Sequence, residues 1–180
     1  LTGSGKFILD PGEGKTNTMS SANTSFTGEA VIASGTVKMG DATSFGPLGR
    51  ASYIRVKGGA TLDANHEMAV SAEYGVRKNQ VILEEGAVFT SSTAHSDEKM
   101  SAFQTLQLAG NAEVVADVVP VRIGLHLNYW ASWLELGEYT LTKTGDNEFF
   151  VSQTTITGSG LFDIQEGSVR IINGYNGSSS

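Results

Sequence analysis

Apolar and polar residues alternate in short runs along most of the chain. Examples are Ile54-Arg-Val56, Leu106-Gln-Leu108 and Leu134-Glu-Leu136. Alternation with a period of two places every second side chain on one face of an extended strand, so each run predicts a half-buried β-strand. Helical spacing of apolar residues is scarce. The pattern therefore predicts an all-β protein.

A glycine-led phrase precedes many of these runs. Seven copies start at Gly5, Gly35, Gly59, Gly86, Gly110, Gly137 and Gly160. Their separation drifts from 30 residues at the first pair to 23 at the last, as expected for repeats with loops of variable length. One such unit cannot bury its own apolar side chains, whereas a stack of units forms a continuous core. The repeats predict a right-handed parallel β-helix of about seven coils over residues 1–174, followed by a flexible tail or linker at residues 175–180.

The recurrent glycine is interpreted as a corner of the coil that needs either a positive φ or the absence of a side chain. The alternative fold is a β-sandwich in which glycines only punctuate the loops, because sandwich strands also recur at intervals of roughly 8–12 residues.

Charge and composition narrow the classes of function. The 180 residues carry 12 Lys and Arg against 19 Asp and Glu, which gives a formal net charge of −7. A broad basic face is therefore unavailable, and neither nucleic acid nor a membrane surface is expected as a partner. The chain has no Cys, so it has neither a disulfide framework nor a thiolate metal site. Its 22 Gly and 17% charged residues are typical of exported all-β proteins, and Leu1 in place of an initiator Met predicts a piece of a larger chain.

Residues 18–49 contain a longer phrase. It runs through Ser21-Ala-Asn-Thr-Ser-Phe-Thr-Gly28, an apolar strand, Gly35-Thr-Val-Lys-Met39 and a closing Leu48-Gly49, and a weaker echo lies at residues 141–160. This phrase resembles the autotransporter-associated β-strand repeat. The resemblance implies a right-handed parallel β-helix displayed outside a bacterial cell, and it implies no activity because that repeat is a scaffold.

Both tryptophans lie in one window, residues 122–139. If the apolar positions of this window point inward, its polar and aromatic positions point to solvent, with Tyr129 to Ser132 as a turn. Superposing Leu106-Gln-Leu108 on Leu134-Glu-Leu136 places Thr105 beside Trp133. The same superposition places Gln107 beside Glu135. The candidate ligand-binding residues are Arg122, His126, Asn128, Tyr129, Trp130, Trp133, Glu135 and Gln107.

This combination of residue types is suited to polysaccharide recognition. Aromatic faces stack on the C–H surface of sugar rings, while polar edges bond to the hydroxyls, so Trp130 and Trp133 are interpreted as platforms. In size, repeat character and this aromatic cluster, the chain also resembles the β-helical carbohydrate-binding modules of family 89, which are attached to xylanases of gut bacteria. The structural alternative is that the two tryptophans cap or fill the solenoid.

Other chemistries have weaker support. Gly12-Glu-Gly-Lys-Thr16 is similar to a phosphate-binding loop, but Leu9 stands where that pattern requires Gly and no helix is expected to follow. His66-Glu67 and His95 with Asp97-Glu98 lack a second His at ligand spacing, so no metal site is expected. Acidic residues are scattered, and the pair Glu84-Glu85 is expected at a coil corner. The clustered carboxylates that hydrolysis or elimination of polysaccharides requires are therefore not found.

The sequence thus favours an extracellular or cell-surface carbohydrate-binding module without catalytic activity, cofactor or metal. The expected ligand is xylan or a related plant cell-wall polysaccharide, and the expected partner is a catalytic glycoside hydrolase domain in the parent chain. The alternative function is that of an autotransporter-like passenger, adhesin or spacer segment without glycan binding.

Overall fold

In the computed structural model, the regular structure of the described residues is entirely β. The structure describes residues 1–20, 25–40, 48, 51–65, 80–93, 105–123, 132–152 and 154–172, without the side chains of Ser132, Ser152 and Ile172. The strands are, in chain order, β1 Thr2–Gly3, β2 Lys6–Leu9, β3 Thr16–Met19, β4 Ser25–Phe26, β5 Glu29–Ile32, β6 Gly35–Met39, β7 Tyr53–Val56, β8 Ala60–Asp63, β9 Gln80–Leu83, β10 Val88–Thr90, β11 Thr105–Leu108, β12 Ala112–Val115, β13 Val121–Ile123, β14 Ser132–Gly137, β15 Thr140–Thr144, β16 Glu148–Ser152, β17 Thr154–Gly158, β18 Leu161–Ile164 and β19 Ser168–Ile172.

The strands wind into a parallel solenoid. Sheet I has the order β2-β5-β7-β9-β11-β14-β17, and sheet II has the order β3-β6-β8-β10-β12-β15-β18. Sheet III has the order β13-β16-β19, and β1 pairs with β4. Each strand pairs in parallel with its counterpart one coil later, as in β5 with β7 and β6 with β8. The predicted all-β parallel solenoid is therefore confirmed, and the β-sandwich alternative is wrong.

The predicted number of coils was too high. The winding amounts to about five turns, not seven, although sheets I and II each contain seven strands. The outermost strands have a neighbour on one side only, and β3 and β17 are largely exposed, so the strand count exceeds the number of closed turns. The glycine phrases also do not mark one position: the phrase at Gly5 precedes a strand of sheet I, whereas the other six precede strands of sheet II.

Inward side chains stack in columns along the solenoid. Strand registers align equivalent apolar residues on successive coils, about 4.8 Å apart. All the members of these columns named here are at most 1% exposed: in sheet I, Ala30, Ile54, Val81, Leu106 and Leu134; in sheet II, Val37, Leu62, Phe89 and Val114. These columns form the continuous core that the repeat units could not form alone.

Glycines at the corner between sheets I and II serve two different purposes. Gly59 and Gly86 both have φ of 74°, and an added Cβ would meet no atom closer than 3.9 Å, so the left-handed backbone is what requires glycine there. Gly110 has no such φ, but its Cβ would lie 2.5 Å from Cα of Glu85 and closer still to the amide nitrogen of that residue. Both reasons predicted for the recurrent glycine are therefore confirmed at this corner.

One inward position of sheet II is occupied by a lysine. Lys143 pairs in register with Val114 and Ile164 and is fully buried. Its Nζ donates to the carbonyl oxygens of Thr144, Gly145 and Glu166, at 2.8, 2.5 and 3.0 Å. Desolvation lowers the pKa of Lys143, against the opposing attraction of nearby carboxylates led by Glu166.

Candidate functional site

The outward face of sheet I carries two columns of side chains, because strand alternation directs every second residue away from the core. The first column holds Lys6, Glu29, Tyr53, Gln80, Thr105, Trp133 and Thr155. The second holds Ile8, Val31, Arg55, Ile82, Gln107, Glu135 and Thr157. Adjacent members of a column come from adjacent coils.

The first half of this face is a network of ion pairs. Arg55 bridges two carboxylates, with its Nε 3.2 Å from Oε1 of Glu29 and its Nη1 3.3 Å from Oε1 of Glu84. Lys57 donates to the same carboxylate of Glu84, with Nζ at 2.7 Å from Oε1, and Lys6 lies 3.5 Å from Glu29. The charges of this half are thus already paired with one another.

The network also changes the titration of Glu84. The hydrogen bond from Lys57 holds the pKa of Glu84 below its ordinary value, and Arg55 acts in the same direction. Partial burial opposes this effect without reversing it. Glu84 and Glu85 do lie at a coil corner, as predicted, but Glu84 is an ion-pair partner and not simply a solvated charge.

The second half of the face is uncharged except for Glu135. Gln80 donates from Nε2 to Oε1 of Gln107 on the next coil, and the side chains of Trp133 and Glu135 are half-buried. Thr105 lies in the first column between Gln80 and Trp133 but is fully buried, so a ligand would contact those two neighbours instead.

We call the residues Tyr53, Gln80, Gln107, Trp133 and Glu135 the amide–aromatic strip. Tyr53 and Trp133 occupy the same column three coil steps apart, or about 14 Å at the usual strand spacing of ~4.8 Å. Tyr53 is half-exposed, with the guanidinium of Arg55 5.8 Å from the centre of its ring. The strip therefore presents two aromatic rings with amide groups between them.

The predicted register between the last two strands of this strip is confirmed. Thr105 pairs with Trp133, and Gln107 pairs with Glu135. Leu134 and Leu136 are buried, so Trp133 and Glu135 face outward as predicted. The predicted turn was one residue too long, because Ser132 already begins β14.

The other predicted site residues are distributed differently. His126, Asn128, Tyr129 and Trp130 lie outside the described residues. Arg122 points outward as predicted, but it belongs to β13 in sheet III, where its guanidinium carbon lies 3.9 Å from the centre of the Phe150 ring. The structure therefore does not join Arg122 to the strip on sheet I.

Sequence reasoning missed Tyr53 and Gln80. Both begin segments with the same polar-apolar-polar-apolar order as Thr105-Leu-Gln-Leu108, namely Tyr53-Ile-Arg-Val56 and Gln80-Val-Ile-Leu83 with an apolar third residue. Extending the superposition by two coils would have placed both residues in the column of Trp133.

A second concave surface lies on sheet II. A groove of about 310 Å³ is lined on its polar side by Asn111, Glu113, Thr144 and Gln165, among others. Glu113 accepts a hydrogen bond from Thr144, and Asn111 donates to Glu85 and accepts from the amide of Thr140. Most of these polar groups already bond within the protein, so the groove is less suited than the strip to bonding ligand hydroxyls.

The remaining sequence candidates contribute no site within the described residues. The segment Gly12–Thr16 is a coil corner with φ of 92° at Gly12 and 65° at Gly14, and strand β3 follows it where a phosphate loop would need a helix. Across the described ranges, no three His, Asp or Glu side chains group closely enough to hold a metal ion. His66, Glu67, His95, Asp97 and Glu98 lie outside those ranges. No helix in the described part of the chain has the length and apolar character needed to cross a bilayer.

Comparison with known protein families, curated proteins and solved structures yields no match to this chain. The fold is that of a parallel β-solenoid, and this shape does not identify one family. Any argument about function therefore depends on the surface chemistry of the solenoid itself.

Proposed function

We propose that this chain is a non-catalytic carbohydrate-binding module that binds an extended neutral polysaccharide, xylan or a related plant cell-wall glycan, along sheet I. The observation that supports the proposal is the amide–aromatic strip, in which Tyr53 and Trp133 flank the amide pair of Gln80 and Gln107 on one outward face. The ring faces would stack on sugar C–H surfaces, and the amides and Glu135 would bond hydroxyl groups.

The geometry of the solenoid favours a ligand laid along its axis. Each coil contributes one outward position per column, and these positions recur about every 4.8 Å. An extended polysaccharide places its sugar rings at a similar regular interval, so successive rings can meet equivalent positions on successive coils. A compact or helical glycan would meet only one or two of them.

The charge of the surface favours a neutral ligand at this strip. Glu135 is the only charged residue of the strip, and the whole chain has a net charge of −7. An acidic glycan would be repelled on this face. Because the face is open and leaves much of a ligand in water, the affinity per site is expected to be low.

The proposal includes the setting of the module. It would act outside the cell and keep an attached glycoside hydrolase domain near its polysaccharide, with no metal or cofactor in binding. The solenoid would wind to the right, since crossover connections between parallel strands of one sheet are right-handed in about 98% of cases.

Affinity gel electrophoresis on xylan, a soluble cellulose derivative, mannan and pectin tests the proposal. Trp133→Ala and Gln107→Ala should lose retardation on xylan, by about tenfold in affinity for the tryptophan. Gln165→Ala is the matched control, because it removes an exposed amide from the groove of sheet II. Trp130→Ala examines the part of the predicted site that lies outside the described residues.

Three results would overturn the proposal. Loss of retardation in Gln165→Ala but not in Gln107→Ala would move the ligand to the groove. Unchanged retardation in Trp133→Ala would remove the platform. No retardation of the parent chain on any glycan would favour the passenger, adhesin or spacer function.

A further inference from the structure

The outward column of sheet III places two arginines on one aromatic ring. Strand registers align Arg122 with Phe150 and Phe150 with Arg170 on successive coils. The guanidinium carbon of Arg122 lies 3.9 Å from the centre of the Phe150 ring, and that of Arg170 lies 5.3 Å from it. Phe150 points outward but is only 3% exposed. Two cationic groups therefore converge over one ring.

This arrangement leaves the arginines able to bind an anion. Stacking on an aromatic face uses the flat side of a guanidinium, and its N–H donors lie in the plane of the group, where they fit the two oxygens of a carboxylate. No described carboxylate lies within ion-pair distance of Arg170, whose side chain is exposed. Arg170 therefore has donors available to a ligand.

The local charge contrasts with that of the whole chain. Among the described strands of sheet III, Glu148 is the only carboxylate at an outward position, against the two arginines. The rest of the molecule gives a net charge of −7 and repels anions generally. An anion that does bind must therefore be held by local contacts.

We propose that Arg122 and Arg170, seated on Phe150, form a binding site for a ligand carboxylate, specifically that of a uronic acid residue in an acidic glycan. The site lies on a different sheet from the amide–aromatic strip and does not depend on it. A free inorganic oxyanion has similar acceptor chemistry, and the experiment separates the two sources.

The test is isothermal titration calorimetry at low salt with trigalacturonate, with its methyl ester, in which the carboxylates are masked, and with inorganic phosphate. The parent chain should bind trigalacturonate and not the ester. Arg170→Gln should weaken binding roughly tenfold or more, the usual effect of losing a charge-assisted hydrogen bond. Arg170→Lys should retain part of the affinity, because it keeps the charge and loses the planar fork.

Lys38→Gln is the matched control. Lys38 lies at an outward position of sheet II and makes the same change in net charge without touching sheet III. Its affinity for trigalacturonate should stay within about twofold of the parent value. Because Arg170 is exposed, Arg170→Gln should fold, and its urea unfolding midpoint verifies this; Arg122→Gln provides a second, independent variant.

The outcomes separate clearly. Equal binding of trigalacturonate and its ester, or equal weakening by Arg170→Gln and Lys38→Gln, would overturn the site. Phosphate binding as tight as that of trigalacturonate, and lost in Arg170→Gln, would support the oxyanion site and overturn its assignment to a uronic acid.

Discussion

Replacing Gly110 by Ala should destabilise the solenoid more than replacing Gly86 by Ala, although both glycines lie at the same corner on adjacent coils. Gly86 has φ of 74° and open space around a Cβ, whereas Gly110 has no left-handed φ and a Cβ position 2.5 Å from Cα of Glu85. One substitution therefore changes only the backbone conformation, and the other only the contact between coils.

The expected magnitudes follow from these two causes. Forcing alanine into a left-handed conformation costs about 1–2 kcal/mol, and stiffening the unfolded chain returns about 0.4–1, so Gly86→Ala should cost about 1 kcal/mol. At Gly110 the Cβ would lie about 1 Å inside normal contact distance, an overpacking that costs about 1–3 kcal/mol. The resulting shift would also stretch two bonds between the coils: Gly86 N to Asn111 O and Asn111 N to Glu85 Oε2, both at 2.7 Å. With about 1 kcal/mol for each bond, Gly110→Ala should cost about 3 kcal/mol.

Urea unfolding followed by far-ultraviolet circular dichroism measures both free energies, provided that the slope against urea is the same for all three proteins. A larger effect at Gly110 supports coil contact through the backbone at this corner. Equal effects, or a larger effect at Gly86, would show that adjacent coils do not approach each other there as closely as described.

Two further predictions concern pH. Because the pKa of Glu84 is lowered on folding, its stabilisation is present above the unfolded value near 4.5 and is lost as pH falls below it; in urea titrations across this range, Glu84→Gln should lose less stability than the parent, and parallel profiles would contradict the ion-pair network. Because the pKa of Lys143 is also lowered, the folded chain releases that proton more readily than the unfolded chain, so the parent should gain stability relative to Lys143→Met as pH rises towards 10.5. A pH-independent difference between these two proteins would show that Lys143 is not desolvated.

The strand pairing at the candidate site could be predicted from sequence because register is strongly constrained where one face is buried. Slipping Leu106-Gln-Leu108 by one residue against Leu134-Glu-Leu136 would turn both pairs of leucines to solvent, so only one superposition keeps the core apolar. The observed pairing of Gln107 with Glu135 follows directly from this constraint.

The face on which a residue lies was harder to predict. Alternation distinguishes inward from outward positions, but it does not say on which sheet a strand lies, because the corners between sheets decide that. Arg122 was therefore correctly predicted to point outward and wrongly grouped with Trp133, which belongs to another sheet. The same limit explains why the phrase at Gly5 was counted with phrases that precede strands of sheet II.

The burial of Lys143 shows a different limit. Alternation through Leu141 places position 143 inward, but a lysine at such a position is normally expected to reach solvent. Its burial depends on three carbonyl oxygens that converge from the end of its own strand and from the following coil. The sequence pattern contains no signal for that convergence.

The most direct test of the proposed function uses the fluorescence of Trp133. The chain has two tryptophans, so Trp130→Phe leaves Trp133 as the only one. Titration of this variant with xylohexaose should produce a saturable blue shift and protection from acrylamide quenching, because a sugar ring would cover the half-buried indole. Unchanged emission and quenching at concentrations that saturate binding, as measured by calorimetry on the same variant, would contradict the claim that the glycan lies on the amide–aromatic strip.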